Sequence, residues 1–384
     1  MSLINLSSKD NLFDVLPKDY PNIKSIVIFG DNATLGNIIK IIYNLPNLKT
    51  WYLTNRAVLH FDDIFKTKNI VLDSQIKNLK NLKQLTIESC NLKTIPDALY
   101  ELINLEELNF TQIPIKTVSL DIQNLKKLKE LTICKCTLES MPESICNLTN
   151  LETLILIHDT QKTVSQNFDQ LKNLTNLKKL ELMRHNFETI PDDIYELINL
   201  KTLLLVSNNI KVISPKIGQL INLEELDLTN NPIKTLPIEI NKLENLETIM
   251  LPLVIHTSIG YNIGGLYRLK ILNYRDPGNK SFSYKGLCHI FNNKMLLIDC
   301  REIINIPDTI THINCHQSIE RQINNLPVSL RYFQTILFHK NINFSPMLEE
   351  LHILYSKIPI NKLRLPYGCK VYIGHAVSSS KLLY

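Results

Sequence analysis

The chain has 384 residues, 44% hydrophobic and 21% charged, the proportions of a folded protein. Its 42 basic and 37 acidic residues leave a net charge of +5 with no run of five like charges, which excludes a polyanion-binding tail. One tryptophan and 10 glycines exclude an aromatic base-stacking platform and a Gly-rich linker.

The N-terminus lacks the basic start and apolar core of a signal peptide, and no stretch approaches the ~18 apolar residues needed to cross a bilayer. Eight cysteines lie scattered or inside the repeat units described below, without clusters at the ends of the array, so reduced thiols in an intracellular, cytoplasmic setting, including a host cell's cytoplasm, are expected. Residues 1–44 are read as an N-terminal cap with a degenerate first repeat, Ile23-Ile26-Ile28. Residues 45–81 hold an irregular repeat, Leu48-Trp51-Leu53, with an insertion near residues 56–75.

The regular array spans residues 82–268. Leu82, Leu105, Leu128, Leu151, Leu177, Leu200, Leu223 and Leu246 open eight segments, and Leu269 opens a weaker ninth; the steps are 23, 23, 23, 26, 23, 23, 23 and 23 residues. A fixed period of this size predicts a solenoid. Within one unit Leu200, Leu203 and Leu205 follow the spacing of a strand, Asn208-Asn209 turns the chain, and Ile210, Ile213, Ile217 and Leu220 point inward along a short helical return. One unit cannot bury these side chains alone, whereas stacked units share one core. The same positions recur as Leu82-Leu85-Ile87-Leu92-Ile95-Pro96-Leu99-Leu102 and as Leu223-Leu226-Leu228-Ile233-Leu236-Pro237-Ile240-Leu243.

This pattern resembles the leucine-rich repeat family in its 23-residue intracellular form. The resemblance implies an α/β solenoid: a curved superhelix with a parallel β-sheet on the concave face and short helices or 3-10 turns on the convex face. Asn208 and Asn231 match the family's turn asparagine and Cys90 and Cys136 its accepted substitute, while Ile113, Asp159, His185 and Val254 depart, so less regular turns are expected there. The 26-residue step is read as extra residues between Leu171 and Leu177 on the convex side.

Residues 269–294 read as a degenerate repeat and a loop. In residues 295–373 Pro307, Pro327, Pro346 and Pro366 recur at steps of 20, 19 and 20, and strand-like runs lie at 310–313, 330–333, 348–354 and 370–373. These resemble the shorter proline-led repeats of amoebal proteins and their giant viruses, and the chain as a whole resembles leucine-rich repeat proteins of the mimivirus type. A continued solenoid with less helix per turn is expected, a separate small domain being the alternative. Residues 374–384 form a C-terminal tail.

Residues two, four and six after each opening leucine are expected on the concave face. The early rungs are acidic and polar, and the middle rungs carry Ile155, Ile157, Lys179, Glu181, Met183, Leu204 and Val206. Contiguous apolar groups rimmed by charge mark a protein contact, so these seven residues form the candidate partner-binding site. The plainer alternative is that strong β-formers stabilise the sheet. Residues one after each leucine alternate mostly between Lys and Glu, which fits a solvated edge better than a phosphate track.

No nucleotide-binding, nucleophile-elbow or zincin motif occurs, so no catalytic residue and no cofactor is assigned. His312, Cys315 and His316 with Cys288 and Cys300 can be drawn as a zinc site, but a CxxC pair is missing and His312 and Cys315 fall in a predicted strand, so no metal is assigned. Cys134 and Cys136 are expected on opposite faces of a strand, which argues against a chelate. The reading is a non-enzymatic, monomeric protein-protein interaction scaffold that binds neither nucleic acid nor membrane. Leu16-Pro17 resembles the start of an F-box, so a ubiquitin-ligase adaptor is one alternative, and a structural component of a particle is another.

Overall fold

The computed structural model describes residues 3–6, 22–29, 38–55, 64, 69–139, 142–158, 168, 170–252, 271–275, 295–298, 311–315, 326, 328–338, 343–356, 363–373 and 381–383. The chain divides into two compact units, one of Met1–Asn186 with Pro191–Leu200, the other of Phe187–Ile190 with Lys201–Tyr384. Each is a stack of repeats, the α/β leucine-rich repeat solenoid architecture.

The first unit holds β1 (Leu3–Leu6), β2 (Ser25–Phe29), β3 (Thr50–Thr54), β4 (Gln84–Glu88), β5 (Glu107–Thr111), β6 (Glu130–Cys136), β7 (Thr153–His158) and β8 (Lys179–Met183). Each pairs in parallel with the next. The 23-residue step sets the register. Leu85, Leu108, Leu131, Leu154 and Leu180 are successive partners, and none is more than 1% exposed. Each such leucine contributes about 1.5–3 kcal/mol by leaving water, so a period error in one unit would break a whole column.

The return legs are 3-10 turns: Ser74–Asn78, Asp97–Glu101, Leu120–Asn124, Glu143–Asn147, Leu171–Asn173 and Asp192–Glu196. Their apolar residues recur every three positions, as in Leu99, Leu102 and Leu105, all buried. A helix with three residues per turn puts that stripe on one side. Leu102 N–H donates to the Leu99 carbonyl at 3.1 Å and Leu105 N–H to Leu102 at 2.9 Å. Several turns start after proline or serine: Ser119 Oγ accepts from Asp121 N–H, and Pro96 has no N–H to leave unpaired. Residues 38–42 form a turn of α-helix that buries Ile38, Ile39 and Ile42.

The 26-residue step resolves differently from the sequence reading. Leu148 N–H bonds Ile145 O and Leu151 N–H bonds Leu148 O, and in the longer unit Leu174 bonds Leu171 and Leu177 bonds Leu174. Leu171 therefore takes the place of Ile145, and the three extra residues precede Leu171. Most of that stretch, 159–167 and 169, including Asp159, lies outside the described residues.

The second unit holds β9 (Thr202–Leu204), β10 (Glu225–Asp227), β11 (Thr248–Pro252), β12 (Ile271–Arg275), β13 (Met295–Ile298), β14 (His312–Cys315), β15 (Tyr332–Phe338), β16 (Glu350–Ser356), β17 (Lys370–Ile373) and β18 (Lys381–Leu383). β9 to β17 pair in parallel and β18 returns antiparallel to β17. Leu203, Leu226 and Ile249 form one buried column; Phe333, Leu351 and Val371 form another within the proline-led segment.

A shared turn closes the strands. Seven residues after the opening leucine, Ser89, Gln112, Lys135 and Arg184 in the first unit and Ser207 and Asn230 in the second have φ between 50° and 62°. The left-handed conformation costs an L-residue roughly 1–2 kcal/mol. The N–H it presents is used: Ser89 donates to Thr111 O at 2.9 Å, Gln112 to Cys134 O at 2.8 Å, and Ser207 to Thr229 O at 3.0 Å. In β6 the same twist at Lys135, with a register shift, turns Cys136 into the core while Cys134 stays half-exposed. Regular alternation would place residues two apart on one face, so the left-handed residue is what separates the two sulfurs.

Candidate functional site

Alternation in β4 to β8 directs one row of side chains into the leucine core and the other to the open face of the sheet. On β7 and β8 the open row is Thr153, Ile155 and Ile157 beside Lys179, Glu181 and Met183, paired Thr153 to Lys179, Ile155 to Glu181 and Ile157 to Met183. All six are half-buried. Cys134 of β6 is the register partner of Ile157, so Cys134, Ile157 and Met183 form an apolar row across three strands. Lys179 Nζ stands 3.6 Å from a Glu181 carboxylate oxygen. Five of the seven predicted site residues thus share one face of the first unit.

The other two belong to the second unit. Leu204 is half-buried at the end of β9. Val206 corrects the sequence reading: it is 7% exposed and does not face outward. β9 has three residues where β8 has five, so the alternation stops at Leu204 and Val206 enters the turn that precedes left-handed Ser207. Thr229, its counterpart one repeat on, is 0% exposed.

The open face of the first unit also extends further than the regular array indicated. Tyr52 of β3 donates through its hydroxyl to Glu88, and Thr50 Oγ1 donates to Gln84 Oε1 at 2.9 Å. Gln84 Nε2 then donates to Glu107 Oε1 at 2.7 Å. The signal was present in Leu48-Trp51-Leu53, whose spacing predicts an outward Thr50-Tyr52 pair; Thr54, next in the alternation, is buried. Glu130 follows Glu107 in register on β6. Partial loss of water raises the Glu130 carboxyl above its ordinary range, and the charges of Glu107 and Glu152 add to this, against Lys179.

Eight residues after the opening leucine the structure places a polar ladder. Asn231 Nδ2 donates to Leu205 O and Leu228 O, both at 2.9 Å, and its Oδ1 accepts from Ile210 N–H at 3.1 Å. In the first unit His185 Nε2 lies 2.9 Å from Leu156 O, and Cys136 Sγ 3.6 Å from Phe110 O. Asn231, His185 and Cys136 each reach the carbonyl five residues after the previous opening leucine, so His185 does the work of the asparagine. Its turn is nonetheless less regular, as expected, with Asn186 left-handed as well as Arg184. Burial pushes the Cys90 and Cys136 thiols up to about 12, and both stay protonated as donors to the backbone carbonyls of Glu88 and Phe110.

A second ladder went unread in the sequence. Asn104, Asn150, Asn176 and Asn199, each just before an opening leucine, donate through Nδ2 to the carbonyls of Lys80, Lys126, Thr149 and Thr175 at 2.8–2.9 Å. The recurring Asn-Leu pair was its signal. Beside it runs the ion-paired edge: Lys83 to Glu106 at 2.5 Å, Lys129 to Glu106 at 3.5 Å, and Lys178 to Glu152 at 2.6 Å. The hydrogen bond from Lys83 holds the Glu106 carboxyl below its ordinary range.

Among the described residues no group of three His, Cys, Asp or Glu is placed to hold a metal ion, and no helix is long and apolar enough to cross a membrane. Cys288, Cys300 and His316, drawn into a zinc site from the sequence, lie outside the described residues, as does the F-box-like Leu16-Pro17.

Residues 38–193 match the family described as leucine-rich repeat region, and residues 198–239 match leucine-rich repeats in two copies. The volume-regulated anion channel subunit LRRC8D of Rattus norvegicus is 33% identical over 84 residues, and that of Homo sapiens likewise. The match spans 22% of this chain and 9% of those proteins. Two solved structures share the fold: a leucine-rich repeat protein of Leptospira interrogans at TM-score 0.50 and 20% identity, covering 89% of this chain and 86% of that one, and TLR13 in the TLR13–ssRNA13 complex at TM-score 0.56 and 17% identity, covering 97% and 54%. With the repeat period, the parallel register and both family matches in agreement, the chain is a leucine-rich repeat protein.

Proposed function

We propose that this chain is a non-enzymatic interaction scaffold that binds a protein partner on the open sheet face of its first unit. The observation that carries this is the half-exposed row Cys134, Ile157 and Met183 with Ile155 beside it, rimmed by the Lys179–Glu181 pair. Apolar groups held in a rigid sheet lose little conformational entropy on contact, and a charged rim is the usual border of a protein interface. Leu204 is the corresponding contact residue proposed on the second unit. An intracellular setting fits Cys90, Cys134, Cys136, Cys146 and Cys369, none of which forms a disulfide.

The test is affinity capture with Ile155→Asp and, separately, Met183→Glu, each checked for an unchanged thermal melt. Both are expected to lose the partners recovered by the unaltered chain. Recovery of the same partners by both variants would reject the proposal.

A further inference from the structure

The open face of the first unit carries a feature that an apolar contact leaves unused. Glu107 and Glu130 are register partners on β5 and β6, which sets their side chains roughly 5 Å apart. Like charges directly opposite destabilise a sheet. The neighbouring cations bond elsewhere: Lys83 and Lys129 to Glu106, Lys178 to Glu152, Lys179 to Glu181. Gln84 donates to Glu107 from the β4 side, but its own carbonyl is taken by Thr50, so that chain of donors ends at the first carboxylate. Glu130 is exposed, and its carboxyl is raised by partial desolvation first and then by Glu107 and Glu152, against Lys179.

The apolar row lies on the adjoining strands. From Glu130, Ile157 is one strand across and four residues along, about 14 Å by strand geometry. That distance is about four residues of extended chain.

We infer that the occupant of this face is an extended polypeptide segment that sets an arginine or lysine between Glu107 and Glu130 and, about four residues away, an apolar side chain on Ile155, Ile157 and Met183. The inference rests on the reading of this face as a protein-contact surface and adds the partner's chemistry. A guanidinium suits the pair, because it offers five donors in a plane to two acceptor-only carboxylates. A polyanion meets two carboxylates here and is repelled.

The experiment uses the full chain and three fluorescein-labelled synthetic peptides, read by fluorescence anisotropy. One peptide alternates arginine and leucine at the four-residue spacing with serine between; its twins carry glutamate for arginine, or serine for leucine. The arginine–leucine peptide is expected to bind, more weakly as salt rises, and the glutamate twin is expected not to bind. The double variant Glu107→Gln with Glu130→Gln is expected to weaken binding at least about tenfold while its thermal melt is not lowered. Equal binding of the glutamate twin, an unaffected double variant, or no binding of the arginine–leucine peptide up to about 1 mM each overturns the inference. Partner capture that depends on Ile155 but survives the double variant would sink this inference while leaving the contact surface standing.

Discussion

At the scale of the residue, the side chain eight positions after each opening leucine decides whether buried carbonyls are satisfied. Asn231 satisfies Leu205 O, Leu228 O and the Ile210 N–H at once. Asn231→Ala leaves these buried groups without that partner and is expected to cost about 3 kcal/mol in urea unfolding. Asn231→Cys is expected to recover part of it, because Cys136 makes the homologous bond. Gly218 is constrained from outside: a Cβ there would stand 3.0 Å from Glu239 O and 3.0 Å from Lys242 Cδ, in the next repeat's turn. Gly218→Val should therefore overpack the turn and cost about 1–3 kcal/mol in the same measurement. The asparagines and cysteines of the ladder could be read from spacing alone. His185 could not, since its role depends on a ring nitrogen reaching a carbonyl 29 residues away.

At the scale of the element, the ends of β7 and β8 bury two histidines. His158 and His185 meet edge to face with centroids 4.5 Å apart, and Phe168 packs on His185 at 5.6 Å. Burial, then the neighbouring His158, pushes His185 down to about 3, and burial lowers His158 as well. In the unfolded chain a histidine titrates near ~6.5, so below that pH the unfolded state takes up a proton that the folded state refuses. Stability is therefore full above about pH 6.5 and falls as pH drops toward the folded value. His185→Asn keeps a donor for Leu156 O and cannot titrate, so the fall in melting temperature between about pH 6.5 and 5 should be shallower in this variant than in the unaltered chain. An equal slope would show that His185 does not carry the effect. The 3-10 turns follow from sequence more directly, because an apolar stripe at every third residue fits three residues per turn.

At the scale of the whole molecule, stability comes from columns that run through each unit. Trp51 is the chain's tryptophan, 0% exposed in the first unit, with Tyr43 edge-on at 6.3 Å. Its emission therefore reports unfolding of that unit. Leu108→Ala removes one member of the Leu85–Leu180 column and is expected to move the Trp51 transition to lower denaturant by about 2–5 kcal/mol. Neutralising Lys83 and Glu106 together should leave it within measurement error, because solvent screens that pair.

The sequence by itself determined the solenoid, the register and the core columns, because a repeated 23-residue step and a two-residue alternation are local rules that add from one unit to the next. It also marked Ile155, Ile157 and Met183 as outward. Only the tertiary structure decided that Val206 turns inward, that Lys135 drives Cys136 into the core, that the extra residues of the long unit precede Leu171, and that the lysines described near Glu107 and Glu130 bond to Glu106, Glu152 and Glu181. Those outcomes depend on where each strand stops and on hydrogen bonds made by the neighbouring repeat, and a spacing read along one chain does not contain them.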